Sequence, residues 1–338
     1  MYFTGRQNGR GDDKIEPVST WKEVRAHLRT HRYELATEFP AGLAGTPLLT
    51  RPSWVPPAPI PLRALDIAWQ QAPAWALPPA SGDPAYPSYS AAMAALDAPT
   101  VFENRPTWRL LDADLAGSAP RLVFGDGRYF DSIDTGEAAA HEYAAATLDG
   151  SATPLRDAIG DPTDLRTRPA NLAISALTAT RDQFLLHWRD PAKVGHAGGL
   201  YQVVPVGVFQ SSGPGDFDLW RFLLREYAEE LLGEPEVEAP DYETWPFAAA
   251  MTAALDAGDI EAHVLGLGVD PLTFATDLLV RVRVDGPVFD ELFGGRVAVN
   301  DEGAVTMRPF TPATISGLPM QAAGAALVRL ALDAEPAR

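Results

Sequence analysis

Apolar residues at helical spacing predict five helices. The first covers residues 17–39 and begins at Ser19 and Thr20, with Glu23 at the position that a capping box requires. The others cover residues 137–148, 216–232, 248–257 and 320–334. Gly233 directly follows the third of these helices, as a helix-ending glycine commonly does.

Short runs of β-branched and aromatic residues between these helices predict strands. Two β-hairpins are indicated, one turning at Gly125-Asp126-Gly127 and the other at Arg181-Asp182. Two further apolar runs, residues 200–209 and 274–284, predict additional strands. The chain is therefore expected to combine helices with a sheet from about residue 121 onward.

Residues 40–90 differ from the rest of the chain because prolines recur throughout and break most regular elements. Aromatic residues stand among the prolines: Trp54, Trp69, Trp75 and Tyr86. A linker made of proline alone would stay in solvent, but these rings favour an extended segment that wraps another surface and buries them.

The charge balance narrows the partners that this protein can have. Lys and Arg number 27 against 45 Asp and Glu, so the formal net charge is −18. A surface of that sign repels phosphate backbones, and no nucleic acid is expected as a partner. Cysteine is absent, which excludes thiol nucleophiles and cysteine-bound metals. With no apolar run of about 18 residues and no apolar signal segment, a cytoplasmic protein without a membrane partner is expected.

The strongest chemical pattern is a group of three carboxylates in the helix predicted over 216–232. Glu226 and Glu230 are i,i+4 neighbours, and Glu229 is i,i+3 from Glu226, so all three converge on one face. Their repulsion costs a bare helix roughly a few tenths of a kcal/mol. A hard cation, Mg²⁺ or Mn²⁺, would convert that repulsion into coordination. The alternative is an acidic helix face in solvent.

Other catalytic patterns are weaker. His27 and His31 have HxxxH spacing, but a zinc site needs a third ligand, and two surface histidines are the simpler interpretation. The sequence has no GxSxG nucleophile elbow and no glycine-rich phosphate loop at a strand–helix junction. Asp277, in the strand predicted over 274–284, either points into the site or has an edge or capping role.

The segment Arg225-Glu226-Tyr227-Ala228-Glu229-Glu230 resembles the central part of the Nudix box, the motif of the Nudix hydrolase superfamily. Pro205-Val206-Gly207 is similar to the Pro-Gly-Gly that opens the family's loop, and its last residue matches the box glycine. The loop that follows is about four residues longer than the family's, and Phe217 stands where the family has its first glutamate. The resemblance covers roughly residues 165–338.

This resemblance implies a fold of the α/β (α+β) class, namely a Nudix-type α/β/α sandwich with a mixed central sheet. The sandwich is expected to occupy residues 111–338, as a Nudix-like domain. Residues 1–110 are expected to form a Pro/Ala-rich N-terminal extension, made of one helix and the wrapping segment. A homodimer is compatible with this organisation.

The resemblance also implies roles for single residues. Glu226, Glu229 and Glu230 would bind Mg²⁺ or Mn²⁺, with Glu229 or another nearby carboxylate as the general base. Arg225 would orient Glu226, and Asp218 would reach Arg225 in place of the missing glutamate. The candidate residues for contact with substrate are Gly207, Arg189, Lys193 and His196. For the last three, the alternative is a loop cation in solvent.

Two functions remain open at this point. The first is Mg²⁺-dependent hydrolysis of the diphosphate linkage in a nucleoside diphosphate joined to another group, such as a nucleotide sugar. The second is a non-catalytic Nudix-like module that binds a nucleotide-like ligand for regulation. The three retained glutamates favour the enzyme, whereas the longer loop, the missing glutamate and the neutral Gln210 favour the module. In both cases the partner is a small nucleotide-type molecule.

Overall fold

A computed structural model of the chain describes residues 19–99, 101–190, 198–213, 215–235, 240–294 and 303–334. Its α-helices are α1 (Trp21–Thr30), α2 (Arg32–Thr37), α3 (Tyr89–Leu96), α4 (Tyr129–Ser132), α5 (Ala138–Asp149), α6 (Pro154–Ile159), α7 (Leu219–Leu232), α8 (Pro246–Ala257), α9 (Gly286–Phe293), α10 (Pro312–Ile315) and α11 (Ala322–Asp333). A π-helical turn, Ile133–Glu137, joins α4 to α5. Within the described ranges, no helix is both long enough and apolar enough to cross a membrane.

The strands are β1 (Ile60–Pro61), β2 (Asp66–Trp69), β3 (Pro106–Asp114), β4 (Arg121–Arg128), β5 (Leu172–Ala179), β6 (Gln183–Arg189), β7 (Tyr201–Gln202), β8 (Val206–Val208), β9 (Ile260–Val269), β10 (Thr276–Val284) and β11 (Gly303–Pro309). The larger sheet has the order β1-β9-β10-β5-β6-β11, with β7 paired to β6 and β8 to β5. Strands β10 and β5 are parallel and their neighbours antiparallel, so this sheet is mixed. The smaller sheet has the order β2-β4-β3.

Helices cover both faces of the larger sheet. Successive residues of a strand point to opposite faces, so a single strand can pack against helices on both sides. On one face, Ile174 and Ala176 of β5 belong to the same hydrophobic cluster as Phe222 and Tyr227 of α7. On the other face, Leu177 packs in the cluster formed by α11. The predicted combination of helices with a mixed sheet is therefore confirmed, and it places α7 against β5.

The hairpin predicted around Arg181-Asp182 is confirmed, but its strands separate soon after the turn. Ala179 pairs with Phe184, and beyond that point β8 lies against β5 while β7 lies against β6. The single strand predicted over 200–209 is thus two short strands. Pro205, which has no N–H to donate to a sheet, separates them.

The hairpin predicted at Gly125-Asp126-Gly127 is wrong, because these residues lie inside the continuous strand β4. Strand β4 pairs with β2 on one side and with β3 on the other. A Cβ on Gly125 would collide with the methyl group of Ala72, and one on Gly127 with the amide oxygen of Asn171. The glycines permit close packing on β4 and do not form a turn.

The helix predicted over 17–39 is divided at His31 into α1 and α2. Its predicted start is confirmed, since the Thr20 N–H donates to Glu23 Oε2 at 2.7 Å and α1 has the full capping box. The other predicted helices are confirmed, with ends that differ by a few residues from those predicted.

The proline-rich segment 40–90 contains three 3₁₀ turns, Leu43–Gly45, Pro52–Trp54 and Leu62–Ala64, besides the short strands β1 and β2, and it buries only some of its aromatic rings. Trp54 is 2% exposed and packs in the main hydrophobic cluster. Trp69 is 52% exposed, so the prediction was wrong for this ring. Trp75 and Tyr86 are half-buried.

The N-terminal part of the chain also contributes to the larger sheet. Leu49 and Val269 exchange backbone hydrogen bonds of 2.8 and 2.9 Å, and Ile60 of β1 pairs with Val264. These contacts place residues 49–61 along the outer edge of β9. Strand β3 runs through residues 110 and 111, where the sequence analysis divides the chain. The division into two domains stays a prediction.

Candidate functional site

Helix α7 carries the predicted carboxylates and is well defined at both ends. Asp218 is its N-cap residue, with a side-chain oxygen that accepts a 2.8 Å hydrogen bond from the Arg221 N–H. Gly233 ends the helix in the left-handed conformation, with φ of 66°. The predicted helix begins at residue 216, so it includes residues that actually belong to the preceding loop.

Two of the three carboxylates lie against strand β8. The Val206 N–H donates to Glu230 Oε1 at 2.9 Å. A Cβ on Gly207 would overlap the carboxylate of Glu226, so only glycine permits this contact. The structure thus brings the predicted Gly207 together with both glutamates. Glu229 is half-buried on the same helix.

Arg225 connects the loop after β8 to helix α7. Its guanidinium is buried, and Nη2 donates to the carbonyl oxygen of Gln210 at 2.8 Å while Nη1 donates to Ser212 Oγ. From its place in the motif, this arginine was expected to orient Glu226. The guanidinium instead orients the loop, because the loop carbonyl and hydroxyl groups are the acceptors that surround it.

Asp216 completes this connection. Its carboxylate accepts hydrogen bonds from the Ser212 N–H at 2.7 Å and from the Tyr242 hydroxyl at 2.8 Å, and Oδ2 lies 4.0 Å from Arg225 Nη2. The expectation that Asp218 would reach Arg225 is wrong, because Asp218 caps the helix. The longer loop turns back on itself and brings the earlier aspartate to the arginine.

Hard divalent cations prefer the oxygen donors that Glu226, Glu229 and Glu230 provide, so the donor chemistry fits the implied Mg²⁺ or Mn²⁺. Among the described residues, no three or more His, Asp or Glu side chains stand together in a group that could hold a metal ion. Mg²⁺ is usually held by one or two carboxylates together with substrate phosphates, not by an all-protein cage. Glu226 and Glu230, both beside β8, fit a cation of that kind.

A cavity of about 250 Å³ lies beside β8, and we call it the β8 cavity. Its lining consists of Tyr129, Ser132, Ile133, Thr135, Gly136, Glu137, Arg168, Pro169, Asn171, Ala173, Arg189, Gln202, Val206, Gly207, Val208, Thr273, Phe274, Ala275, Thr276, Asp277 and Gln321. Two predicted substrate residues, Gly207 and Arg189, are in this lining, and the three glutamates of α7 are outside it. The other two, Lys193 and His196, lie outside the described residues.

Asp277 is a buried acid of the β8 cavity. It is 1% exposed, and the Ser175 hydroxyl donates to its Oδ1 at 2.8 Å. Within the described chain, Oδ2 has no hydrogen-bond partner. Burial raises the pKa of Asp277 to about 6, since removal from water disfavours the charged form. The position of Asp277 in the cavity lining favours a role in the site over an edge or capping role.

We expect Asp277→Asn to stabilise the protein at neutral pH but not in acid. Because the folded-state pKa is about 6 and an unfolded aspartate titrates near 4, wild type loses stability as the pH rises from about 4 through 6. Asparagine carries no charge at either pH. Chemical unfolding should therefore show a stability gain of the variant that grows from near zero at pH 4 to at most about 3 kcal/mol at pH 8.

Glu261→Gln is the matched control for this experiment, because Glu261 is an exposed carboxyl on the neighbouring strand β9. Its stability difference from wild type should vary little over the same pH range. A difference between Asp277→Asn and wild type that is the same at pH 4 and pH 8 would contradict the raised pKa.

Sequence reasoning missed several residues that the fold brings to this region. Gln202 and Gln321 line the β8 cavity from strand β7 and from the residue before α11. Glu137 reaches it from the π-helical turn, and the buried His187 lies with Nδ1 3.9 Å from Glu230 Oε2. These residues are far apart in sequence and match no motif. Only a prediction of how distant elements pack together could have found them.

A comparison with protein-family models finds no family that matches this chain, and a search of curated proteins finds no significant match. The fold and the site define a mixed α/β protein in which an acidic helix packs against strand β8, beside a cavity.

Proposed function

We propose that this protein is a Nudix-type hydrolase that cleaves the diphosphate linkage of a nucleoside diphosphate joined to another group. The observation that carries the proposal is the contact of β8 with α7: Glu230 accepts from the Val206 N–H, and Glu226 fills the space that a side chain at Gly207 would need. The resemblance assigns Gly207 and these glutamates to one motif, and the contact brings them together in the fold.

In the proposed reaction, water attacks a phosphorus atom of the diphosphate and the P–O–P bond breaks, which yields a nucleoside monophosphate and the phosphate of the second group. Neutralisation of the phosphate charge and acidification of water are the chemistry that Mg²⁺ would supply at these carboxylates. Glu229 would accept the proton of the attacking water as general base. Arg225 fixes the loop through Gln210 and Ser212, so the backbone at Gly207 keeps its place beside the phosphates.

A panel of nucleoside diphosphate derivatives tests this function. The expected result is release of nucleoside monophosphate from at least one derivative when Mg²⁺ or Mn²⁺ is present and none when the cation is removed by a chelator. Derivatives in which a methylene group replaces the bridging oxygen of the diphosphate serve as the control, because their P–C–P linkage cannot be hydrolysed. Absence of turnover on every derivative with either cation would contradict the proposal.

The second candidate is a non-catalytic module that binds a nucleotide-like ligand. It is favoured by the absence, among the described residues, of a ready group of three metal-binding side chains, and by the position of the α7 glutamates outside the cavity lining. In that case wild type would bind a member of the panel without cleaving it. Binding without turnover would select this candidate over the hydrolase.

A further inference from the structure

The β8 cavity contains three buried polar atoms whose hydrogen-bonding capacity is unused within the described ranges. These are Asp277 Oδ2, Gln202 Nε2 and Gln321 Oε1. Asp277 and Gln202 are 1% and 2% exposed. A buried polar atom without a partner costs roughly 1–3 kcal/mol. Three such atoms around one cavity indicate that a bound molecule supplies the partners.

The charges of the lining indicate that the part of the bound molecule inside the cavity carries no net charge. Two carboxylates, Asp277 and Glu137, and two guanidinium groups, Arg168 and Arg189, line the space. Glu137 accepts hydrogen bonds from buried arginines outside the cavity, and the Arg168 guanidinium donates to the carbonyl oxygens of Pro162 and Pro169, so protein groups already engage one ion of each sign. A cationic or anionic group would leave an excess charge in a site largely removed from water.

The walls of the β8 cavity suit a flat ring. Tyr129 and Phe274 line it, together with aliphatic side chains such as Ile133 and Val206. Phe274 has a φ of 55°, a left-handed conformation that is unfavourable for a residue with a Cβ. Such strain is typical of ligand sites, where it places a side chain that the regular backbone would not.

The size of the cavity further restricts the ligand. A volume of about 250 Å³ lies just below the range of roughly 300–1,000 Å³ typical of ligand pockets. It suits one ring system and not a whole dinucleotide. The remainder of a larger molecule would leave the cavity past Gly207, which lines it and also contacts Glu226.

We propose that the β8 cavity binds a purine of the guanine type, as the base of the substrate whose diphosphate lies over Gly207. This inference rests on the proposed function for the identity of the rest of the ligand. Asp277 Oδ2 and Gln321 Oε1 are acceptors, and Gln202 Nε2 is a donor. Guanine carries the complementary set on one edge, two N–H donors beside a carbonyl oxygen, whereas the matching edge of adenine carries one donor and one acceptor.

Nucleosides without phosphate test the base site separately from any hydrolysis. Equilibrium dialysis of wild type with guanosine, inosine and adenosine is expected to show guanosine bound at least about tenfold more tightly than adenosine, since adenosine leaves buried groups unpaired. Inosine, which lacks the second N–H donor, should fall between them. Equal affinity for the three nucleosides, or no binding of any, would overturn the proposal.

Two variants assign the preference to this cavity. Asp277→Asn replaces the free acceptor by a donor and keeps the oxygen that accepts from Ser175, and it should lower guanosine affinity at least about tenfold. Gln321→Met removes the second acceptor by a change of similar shape and should lower the affinity several-fold. The exposed Glu261→Gln should bind guanosine as wild type does. Unchanged guanosine affinity in both cavity variants would place the base elsewhere and refute the inference.

The nucleoside assay and the turnover assay test the base site and the hydrolase independently. Guanosine binding by the cavity without hydrolysis of any diphosphate derivative would support the base site and refute the hydrolase. Hydrolysis with no preference among bases would support the hydrolase and refute the base site.

Discussion

Turnover of a nucleoside diphosphate derivative is expected to fall by a factor of hundreds or more when Glu230 is replaced by glutamine. The substitution keeps the side-chain shape and an oxygen that can accept from the Val206 N–H. It removes one negative charge from the acidic face of α7. A decrease of that size corresponds to about 3–4 kcal/mol of activation free energy, which is reasonable for a lost metal ligand.

The fold should survive Glu230→Gln, because relief of like-charge repulsion on α7 offsets any weakening of the hydrogen bond. Melting temperature and turnover are therefore measured on the same preparations. Glu243→Gln is the matched control, since Glu243 is exposed and lies beyond the end of α7, and its turnover should equal that of wild type. Equal turnover in Glu230→Gln and wild type would refute the catalytic role of this helix face.

Glu137→Ala is expected to lower the free energy of unfolding by about 3–5 kcal/mol. Glu137 is 4% exposed and accepts hydrogen bonds from Arg32 Nη2 at 3.0 and 3.1 Å and from Arg25 Nη1. Both arginines are also buried. Alanine would leave two guanidinium groups in the interior without this carboxylate, and a buried charge that loses its partner is strongly destabilising.

Arg29→Ala provides the comparison for this pair of arginines. Arg29 lies on the same helix α1 and pairs with Asp97 at 3.0 Å, but its side chain is 40% exposed. Exposed ion pairs contribute at most about 1 kcal/mol, so denaturant unfolding should detect only a small change. If Glu137→Ala were no more destabilising than Arg29→Ala, the buried ion pairs would not be a major source of stability.

Features that depend on neighbouring residues could be predicted from the sequence. The capping box of α1, the glycine that ends α7 and the turn between β5 and β6 all follow from local backbone chemistry. Gly207 and the α7 glutamates were predicted to belong to one site, through the motif that contains them, and Gly207 lies against Glu226. The chemistry assigned to that contact stays a prediction.

Features that depend on distant residues could not be predicted. The glycines of β4 look like a turn because the sequence does not reveal that Ala72 and Asn171 press against that strand. Arg225 was paired with the wrong acid because the length of the loop decides whether Asp216 or Asp218 reaches it. The polar atoms of the β8 cavity come from strands and a helix end brought together only by the sheet.

The placement of residues 49–61 along β9 has a consequence for association between chains. An unpaired outer strand offers its free N–H and C=O groups to another chain and can start aggregation. Strand β9 has ten residues, and Leu49 and β1 occupy its outer side at two points. Pro61 lies in β1 and has no N–H, so β1 offers one backbone donor fewer to a strand of a second chain. The proline-rich segment thus protects the sheet against edge-to-edge association, in addition to burying Trp54.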